Sequence, residues 1–326
     1  MASVDVIIPS YQYGRYLRQC IESVLTQEHN ELRVLVIDNA STDNSVEVAR
    51  QLHATDPRLE LVARKKNLGA WTSFNEGIDR AAADYMTFLC ADDIMAPGFL
   101  SGAVSALERN SDVAFYHGVD ACYLDGEDFP NQGRQAVKVE YQLVEGSEFI
   151  ATTCRRPSGF PAVVRTSVQK QTGYFHSGRH SSDMEMLLRL ALHGRVARTT
   201  AVGHFCRIHD SNLSVPSWTD RSIAIREWEA AFDEFFAVEG RALPNARRLH
   251  GIAKGTIAAR AYWWAVGDLV HGKQDSGLRL LKTSLKLRPS IAIMPPFSFL
   301  SQAERPLGRV LETLSEAFAW RRKTSN

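Results

Sequence analysis

Residues 32–53 read LRVLVIDNASTDNSVEVARQLH. The first seven are almost continuously apolar and β-branched up to Asp38, the pattern of a strand buried on both faces rather than one with a wet side. A Ser-Thr-Asp turn follows, then a stretch with helical spacing over 44–53. The same alternation extends outward in both directions. Residues 4–9, 59–63 and 85–90 are further short apolar runs, and residues 16–27 and 70–82 carry helical patterns between them. The order β-α-β-α-β-α-β predicts a doubly wound α/β sheet. In such sheets ligands sit beyond the carboxyl ends of the strands, here Pro9–Tyr11, Asp38–Ser41 and Ala91–Asp93.

The 326 residues are 44% hydrophobic and 23% charged, with 38 Lys plus Arg against 37 Asp plus Glu. That near-balance leaves no global field to draw the chain to nucleic acid, so charged partners must be met locally. Five scattered cysteines without a CxxC pair fit a reducing compartment. The first residues lack the features of an export signal, and no run of about 18 apolar residues occurs, so a cytoplasmic protein is expected. From 111 to 209 the pattern is irregular, with strands expected at 113–116, 137–141 and 160–164 and a helix opening near Ser182; this stretch reads as the acceptor-facing half. Beyond Pro216 the chain is helical, with apolar spacing at 228–236, 253–270 and 278–287. A boundary near 214–220 divides it into 1–215 and 216–326, and GDLVHGKQDSGLRLLKTSLKLRPS reads as one helical hairpin of the tetratricopeptide kind.

Five clusters carry chemistry. In YMTFLCADDIMAPGFL, Asp92 and Asp93 place two hard oxygen donors at the ligand edge, which suits Mg²⁺ or Mn²⁺ on a diphosphate; a helix cap with an acidic first turn is the alternative. Asp38 can accept the imide N–H of uracil or thymine, or donors of another base, or else it belongs to a capped strand-turn-helix junction. Arg64, Lys65 and Lys66 precede a helix beginning near Gly69, where cations either attract a diphosphate or stand in solvent. Asp183, behind Ser181 or Ser182 as cap, is a candidate base for an attacking hydroxyl, with Glu185 as its rival and an acidic first turn as the plain reading. HFCRIHDSNLS brings His204, Arg207, His209, Asn212 and Ser214, with His209 able to add a metal ligand or a phosphate contact.

Taken in order, IIPSYQYGRYL, VIDNASTDNS, NLGAWTSFNEGI, FLCADDIMAPGFL, SSDMEMLLRLALHG and RIHDSNLS resemble the family 2 glycosyltransferases of the GT-A fold over residues 3–214. The resemblance implies a mostly parallel GT-A sheet flanked by helices, with a helical C-terminal region. It also implies inverting transfer of a sugar from a UDP-, dTDP- or GDP-linked donor to an acceptor hydroxyl. Pro9, Ser10 and Tyr11 would lie against the nucleotide and Asp38 would hold the base. Asn67, with Arg64 or Lys66, would line the ribose-diphosphate wall. Asp92 would contact the ribose or the metal, Asp93 would bind Mn²⁺ or Mg²⁺ directly, Asp183 matches the general base, and His209 matches a histidine that reaches the diphosphate or its metal. The acceptor implied is a saccharide or lipid-linked saccharide of a bacterial surface polymer, at the inner face of the membrane.

Three positions depart from the pattern: Gln12 for an asparagine, Cys90 for a first acid, and Ser182 for a glutamate. Cys90 and Ser182 would also suit a binding protein that has lost catalysis. A sugar nucleotidyltransferase would need a Gly-rich Arg-Lys loop after the first strand, where Pro9-Ser10-Tyr11 is followed only by Gly14. At the C-terminus the apolar run 291–300, broken by Pro295 and Pro296, follows Lys282, Lys286 and Arg288. It suits docking on an anionic membrane, or packing on the catalytic domain or on a second copy.

Overall fold

A computed structural model describes residues 2–127, 140–176 and 182–292. The expected opening order is present: β1 (Val4–Ser10), α1 (Gly14–Leu25), β2 (Leu32–Asp38), α2 (Ser45–His53), β3 (Leu59–Ala63), α3 (Ala70–Arg80) and β4 (Tyr85–Phe88). Then follow β5 (Ile94–Met95), α4 (Phe99–Arg109), β6 (Val113–Leu124), β7 (Gln142–Val144), α5 (Gly146–Arg155), β8 (Ala162–Arg165), α6 (Thr166–Thr172), α7 (Ser182–Leu190) and β9 (Arg195–Ile208).

Among the described residues nine strands form one sheet, ordered β3-β2-β1-β4-β8-β6-β9-β5, with β7 also on β9. β1 runs parallel to β2 and β4, β2 to β3, and β6 to β9, while β8, β5 and β7 pair antiparallel. The parallel half is buried on both faces, which is why β1 and β2 are continuously apolar. The reversal of strand direction leaves the carboxyl ends of β1, β2 and β4 open at one edge.

The opposite edge is locked by Asp5. Its buried carboxylate takes two hydrogen bonds from Arg33 at 2.8 and 2.9 Å and two more from the Ala82 and Ala83 amides. Burial alone would raise the Asp5 pKa, but these bonds outweigh it and hold it below the usual value.

The irregular middle differs from expectation in two places. The strand expected at 113–116 continues to Leu124; of that expected at 137–141, residues 137–139 lie outside the described residues, and a strand is present at Gln142–Val144. The expected 160–164 strand runs Ala162–Arg165.

Contacts divide the chain into two units, 1–152 with 158–212, and 153–157 with 213–326. The second contains α8 (Val215–Thr219), α9 (Arg221–Ala237), α10 (Ala246–Val270) and α11 (Gln274–Leu287). Asp220 caps α9 by accepting the Ser222 amide at 3.0 Å. α10 and α11 form the expected hairpin. It is close enough that a Cβ on Gly277 would lie 2.6 Å from Leu269. Ile291 packs against Ala258 and Ala259; the rest of the 291–300 run and the basic end lie outside the described side chains.

Candidate active site

Two loops make the floor of the open edge. Gln12 stands at φ 61°, a region that asparagine enters more easily than glutamine. Its amide is held by Ser41 Oγ at 2.9 Å, its Nε2 donates to Thr42 Oγ1, and its Oε1 accepts the Thr42 and Asp43 amides. Asp43 in turn accepts the Gly14 amide at 2.9 Å. Glutamine thus fills the position where asparagine was the expected residue, stitching the loop after β1 to the loop after β2.

Ser10 and Asp38 are register partners at the ends of β1 and β2. Both are buried. Asp38 Oδ2 accepts the Ser41 amide at 2.9 Å, whereas Asp38 Oδ1 and Ser10 Oγ have no hydrogen-bond partner among the described residues. Buried polar atoms are rarely left unsatisfied, so these two mark a place where a ligand's donors belong. Pro9 is half-buried beside them, and Tyr11 is exposed at the rim.

Asn67 joins this wall through Asn39, whose Nδ2 donates to Asn67 Oδ1 at 2.7 Å. Arg64 does not reach outward. Its guanidinium donates to Glu76, Asn39, Ser73 and the Thr72 carbonyl. Burial pushes Glu76 up, but Arg64 and Arg80 more than offset this and hold its carboxyl low. Arg64 therefore braces the β3–α3 junction, while Lys65 and Lys66 stand exposed.

Beyond β4, Cys90, Asp92 and Asp93 can bring ligand atoms within 4.8 Å of one another. Both aspartates are buried, at 6% and 8% exposure, so two adjacent charges face little solvent. Asp92 Oδ2 meets His209 Nε2 at 3.1 Å and Asn212 Nδ2 at 3.0 Å, and the Tyr13 hydroxyl also donates to Asp92. Asp93 Oδ1 accepts the Arg207 amide at 3.0 Å, and the Cys206 thiol donates to the same carboxylate. Burial, then the charge of Asp92, pushes the Asp93 pKa well up. A dication here would reverse that cost, and two carboxylates with an imidazole and a thiol at hand fit Mn²⁺ or Mg²⁺ in their hard donors. His209 touches Asp92, so Asp92 has at least as direct a part in this corner as Asp93, the residue expected to bind the ion.

Arg207 ties this corner together. It donates to the Asp92 carbonyl at 3.1 Å and to Gln19 on α1, pairs with Asp125 at 3.3 Å, and lies over the rings of Tyr16 and Tyr123. His204, by contrast, is buried within β9 against Phe99, and burial drives its pKa down to about 3. It belongs to the core.

On α7 the two acids separate. Glu185, 2% exposed, holds Arg189 at 2.7 and 3.0 Å, and Arg189 donates onward to the Thr172 and Tyr174 carbonyls. Asp183 is half-buried and lies close enough to Cys90 and Asp120 for its charge to raise both. Asp120 lies at an exposed position of β6, yet loss of solvent around its carboxyl and then the charge of Asp183 lift it to about 7. Ser182 donates to the His176 carbonyl at 3.0 Å; Ser181, the other expected cap, lies outside the described residues. Sequence reasoning missed Tyr13, Asn39, Asp120 and Gly159. Only Asn39, beside Asp38, carried a local signal.

The fold and this edge define an α/β protein with unsatisfied buried polar atoms at the ends of two parallel strands and an acidic corner suited to a cation. A profile described as glycosyl transferase family 2 matches residues 5–170, and the chain belongs to that family. It is 35% identical over 125 residues to an uncharacterized glycosyltransferase of Nostoc sp., covering 38% of each chain. It is 30% identical over 150 residues to one of Haemophilus influenzae, covering 46% of this chain and 60% of that protein. A putative teichuronic acid biosynthesis glycosyltransferase of Bacillus subtilis is 34% identical over 90 residues, 28% of this chain and 36% of its own. The chain thus spans less than two thirds of each of these relatives. Among solved structures, residues 1–349 of S. aureus TarS in complex with UDP superpose with a TM-score of 0.62 at 14% identity, covering 93% of this chain and 88% of that one. The mannosyltransferase PcManGT of Pyrobaculum calidifontis, in complex with GDP-Man and Mn²⁺, gives 0.60 at 16% identity, covering 98% and 83%. At these identities the likeness is one of GT-A fold. No helix among the described residues is long and apolar enough to cross a membrane.

Proposed function

We propose that this chain is an inverting, Mn²⁺- or Mg²⁺-dependent glycosyltransferase that moves a sugar from a nucleotide-linked donor to an acceptor hydroxyl. The observation that carries the reading is one sheet edge with an unsatisfied buried acceptor at Asp38 and a buried acidic pair at Asp92–Asp93. Asp38 and Ser10 bind the base, with Pro9 and Tyr11 against it and Asn67 along the wall. Asp92, Asp93 and His209 would hold the ion, which when bound neutralises the departing diphosphate. Asp183, half-buried and near the acidic corner, takes the acceptor proton as the hydroxyl attacks from the face opposite the leaving group. Glu185 is not the base, because its charge is committed to Arg189. The neighbours with UDP and with GDP-Man and Mn²⁺ support a nucleotide-sugar donor and a divalent ion. The teichuronic acid relative supports a cell-surface polymer as acceptor, and an acceptor of that kind is met at the inner face of the membrane. Docking there through residues 289–326, and self-association through the C-terminal helices, are separate proposals that rest on the sequence. The test is nucleotide release from UDP-, dTDP- and GDP-sugars with and without Mn²⁺, with the anomeric configuration of the product read by NMR. Metal-dependent release with inversion is expected. Failure of every donor both to react and to raise the melting temperature overturns the proposal.

A further inference from the structure

We infer that Gly159 and His117 form a fixed seat for the Asp183 carboxylate, so that both are positioning residues for the transfer step. The inference rests on Asp183 being the base. Asp183 lies directly on the Gly159 backbone: a Cβ at 159 would sit 1.8 Å from Asp183 Oδ2 and 2.7 Å from its Cγ. A methyl group there moves the carboxylate by at least about 1 Å, since close-packed interiors absorb so large an overlap only by displacement.

The seat is itself held. His117 Nε2 lies 3.0 Å from the Gly159 carbonyl, and because a carbonyl only accepts, this nitrogen carries the proton. His117 is buried edge-on against Phe115 and Phe149, and burial lowers its pKa to about 4, so the ring is neutral near pH 7. The next residues close the stretch onto β6: the Gly118 amide donates to the Pro161 carbonyl at 3.1 Å, and His117 is in register with Ala162. The Phe160 ring anchors the other side against Phe88 and Phe175. A strand, a histidine and an aromatic cluster thus fix one glycine against which the base rests.

Gly159→Ala, His117→Phe and His117→Gln separate this from a general packing role. Gly159→Ala is expected to lose roughly 10²-fold in kcat, the penalty of a misplacement on the order of 1 Å, while donor KM and nucleotide affinity by calorimetry stay at wild-type values. His117→Phe follows it in direction, and His117→Gln, which keeps an N–H donor, recovers most of the rate. Combined with Asp183→Asn, Gly159→Ala costs nothing further. Wild-type kcat in Gly159→Ala, or an additive loss in the double variant, overturns the seat while the base assignment stands. Wild-type turnover in Asp183→Asn overturns the base, and the seat with it.

Discussion

Asp183 and Glu185 stand two residues apart on one helix, and their environments predict opposite phenotypes. Asp183→Asn keeps shape and one acceptor oxygen, exchanges the other for an NH2 donor, and cannot take a proton. A positioned general base contributes about 10² to 10⁴ in rate, so kcat falls by that factor, about 3–5 kcal/mol in the barrier. Its stability holds, because losing the charge also removes the repulsion felt by Asp120. Glu185→Gln does the reverse. It leaves Arg189, 3% exposed, without its counter-charge, and breaking a buried pair in this way costs about 3–5 kcal/mol. For a unit of roughly 200 residues that lowers the melting temperature by about 6–20 °C, at about 2–4 °C per kcal/mol. Turnover per folded molecule is kept. Calorimetric melting together with kcat on active-site-titrated protein reads both quantities. A Glu185→Gln protein that melts like wild type yet has lost turnover would refute the reasoning and make Glu185 the base.

Asp38→Asn is expected to weaken nucleotide binding by roughly 10-fold or more, the worth of a hydrogen bond to a charged group, seen as a smaller thermal shift with UDP, dTDP or GDP; an unchanged shift removes Asp38 from the base pocket. Asp92→Ala and Asp93→Ala should each abolish metal-dependent turnover and calorimetric Mn²⁺ binding with the melting temperature of the metal-free protein retained, and unchanged turnover at limiting Mn²⁺ in either variant removes that residue from the metal corner. Asp120→Asn tests the charge balance of the cleft. The folded-state pKa of Asp120 is raised to about 7 from an ordinary 3.8, so wild type holds an extra proton between these values and loses stability as pH climbs through them. The variant should melt like wild type near pH 4 and above it near pH 8, and a gap that does not widen with pH contradicts the placement.

The parallel half and its ligand edge were legible because β1, β2 and β4 are buried on both faces and write that into continuous apolar runs ending in Ser10, Asp38 and the Asp92–Asp93 pair. The second half was not, and β6 shows why. Its pairing with β9 shifts register between Val113 and Phe115, between His117 and Val119, and between Val119 and Asp120. Each shift resets the period-two alternation by which a strand is recognised, so twelve residues looked like four and Asp120 passed unnoticed. The acidic corner was read from Asp92 and Asp93 together with His209, but the contacts by which Arg207 and Asn212 hold it were not, because they lie more than a hundred residues further along. Glu185 and Arg189 are four apart on a helix, the spacing of an ion pair, and that spacing alone weighs against Glu185 as a free base.

The pairing of β6 with β9 also sets an order of assembly. β1, β2 and β3 join neighbours within about thirty residues, whereas β4 returns to Val4 and β9 returns from Arg195 to Val113 across some eighty residues each, closing loops whose entropy is lost before any contact offsets it. The strand ends that carry Ser10 and Asp38 therefore come together through local contacts. The corner held by Arg207, His209 and Asn212 exists only once the last strand has slotted in. Under the function proposed above, the residues of the nucleotide wall leave the ribosome well before those that hold the acidic corner, which is complete only when nearly two thirds of the chain has emerged.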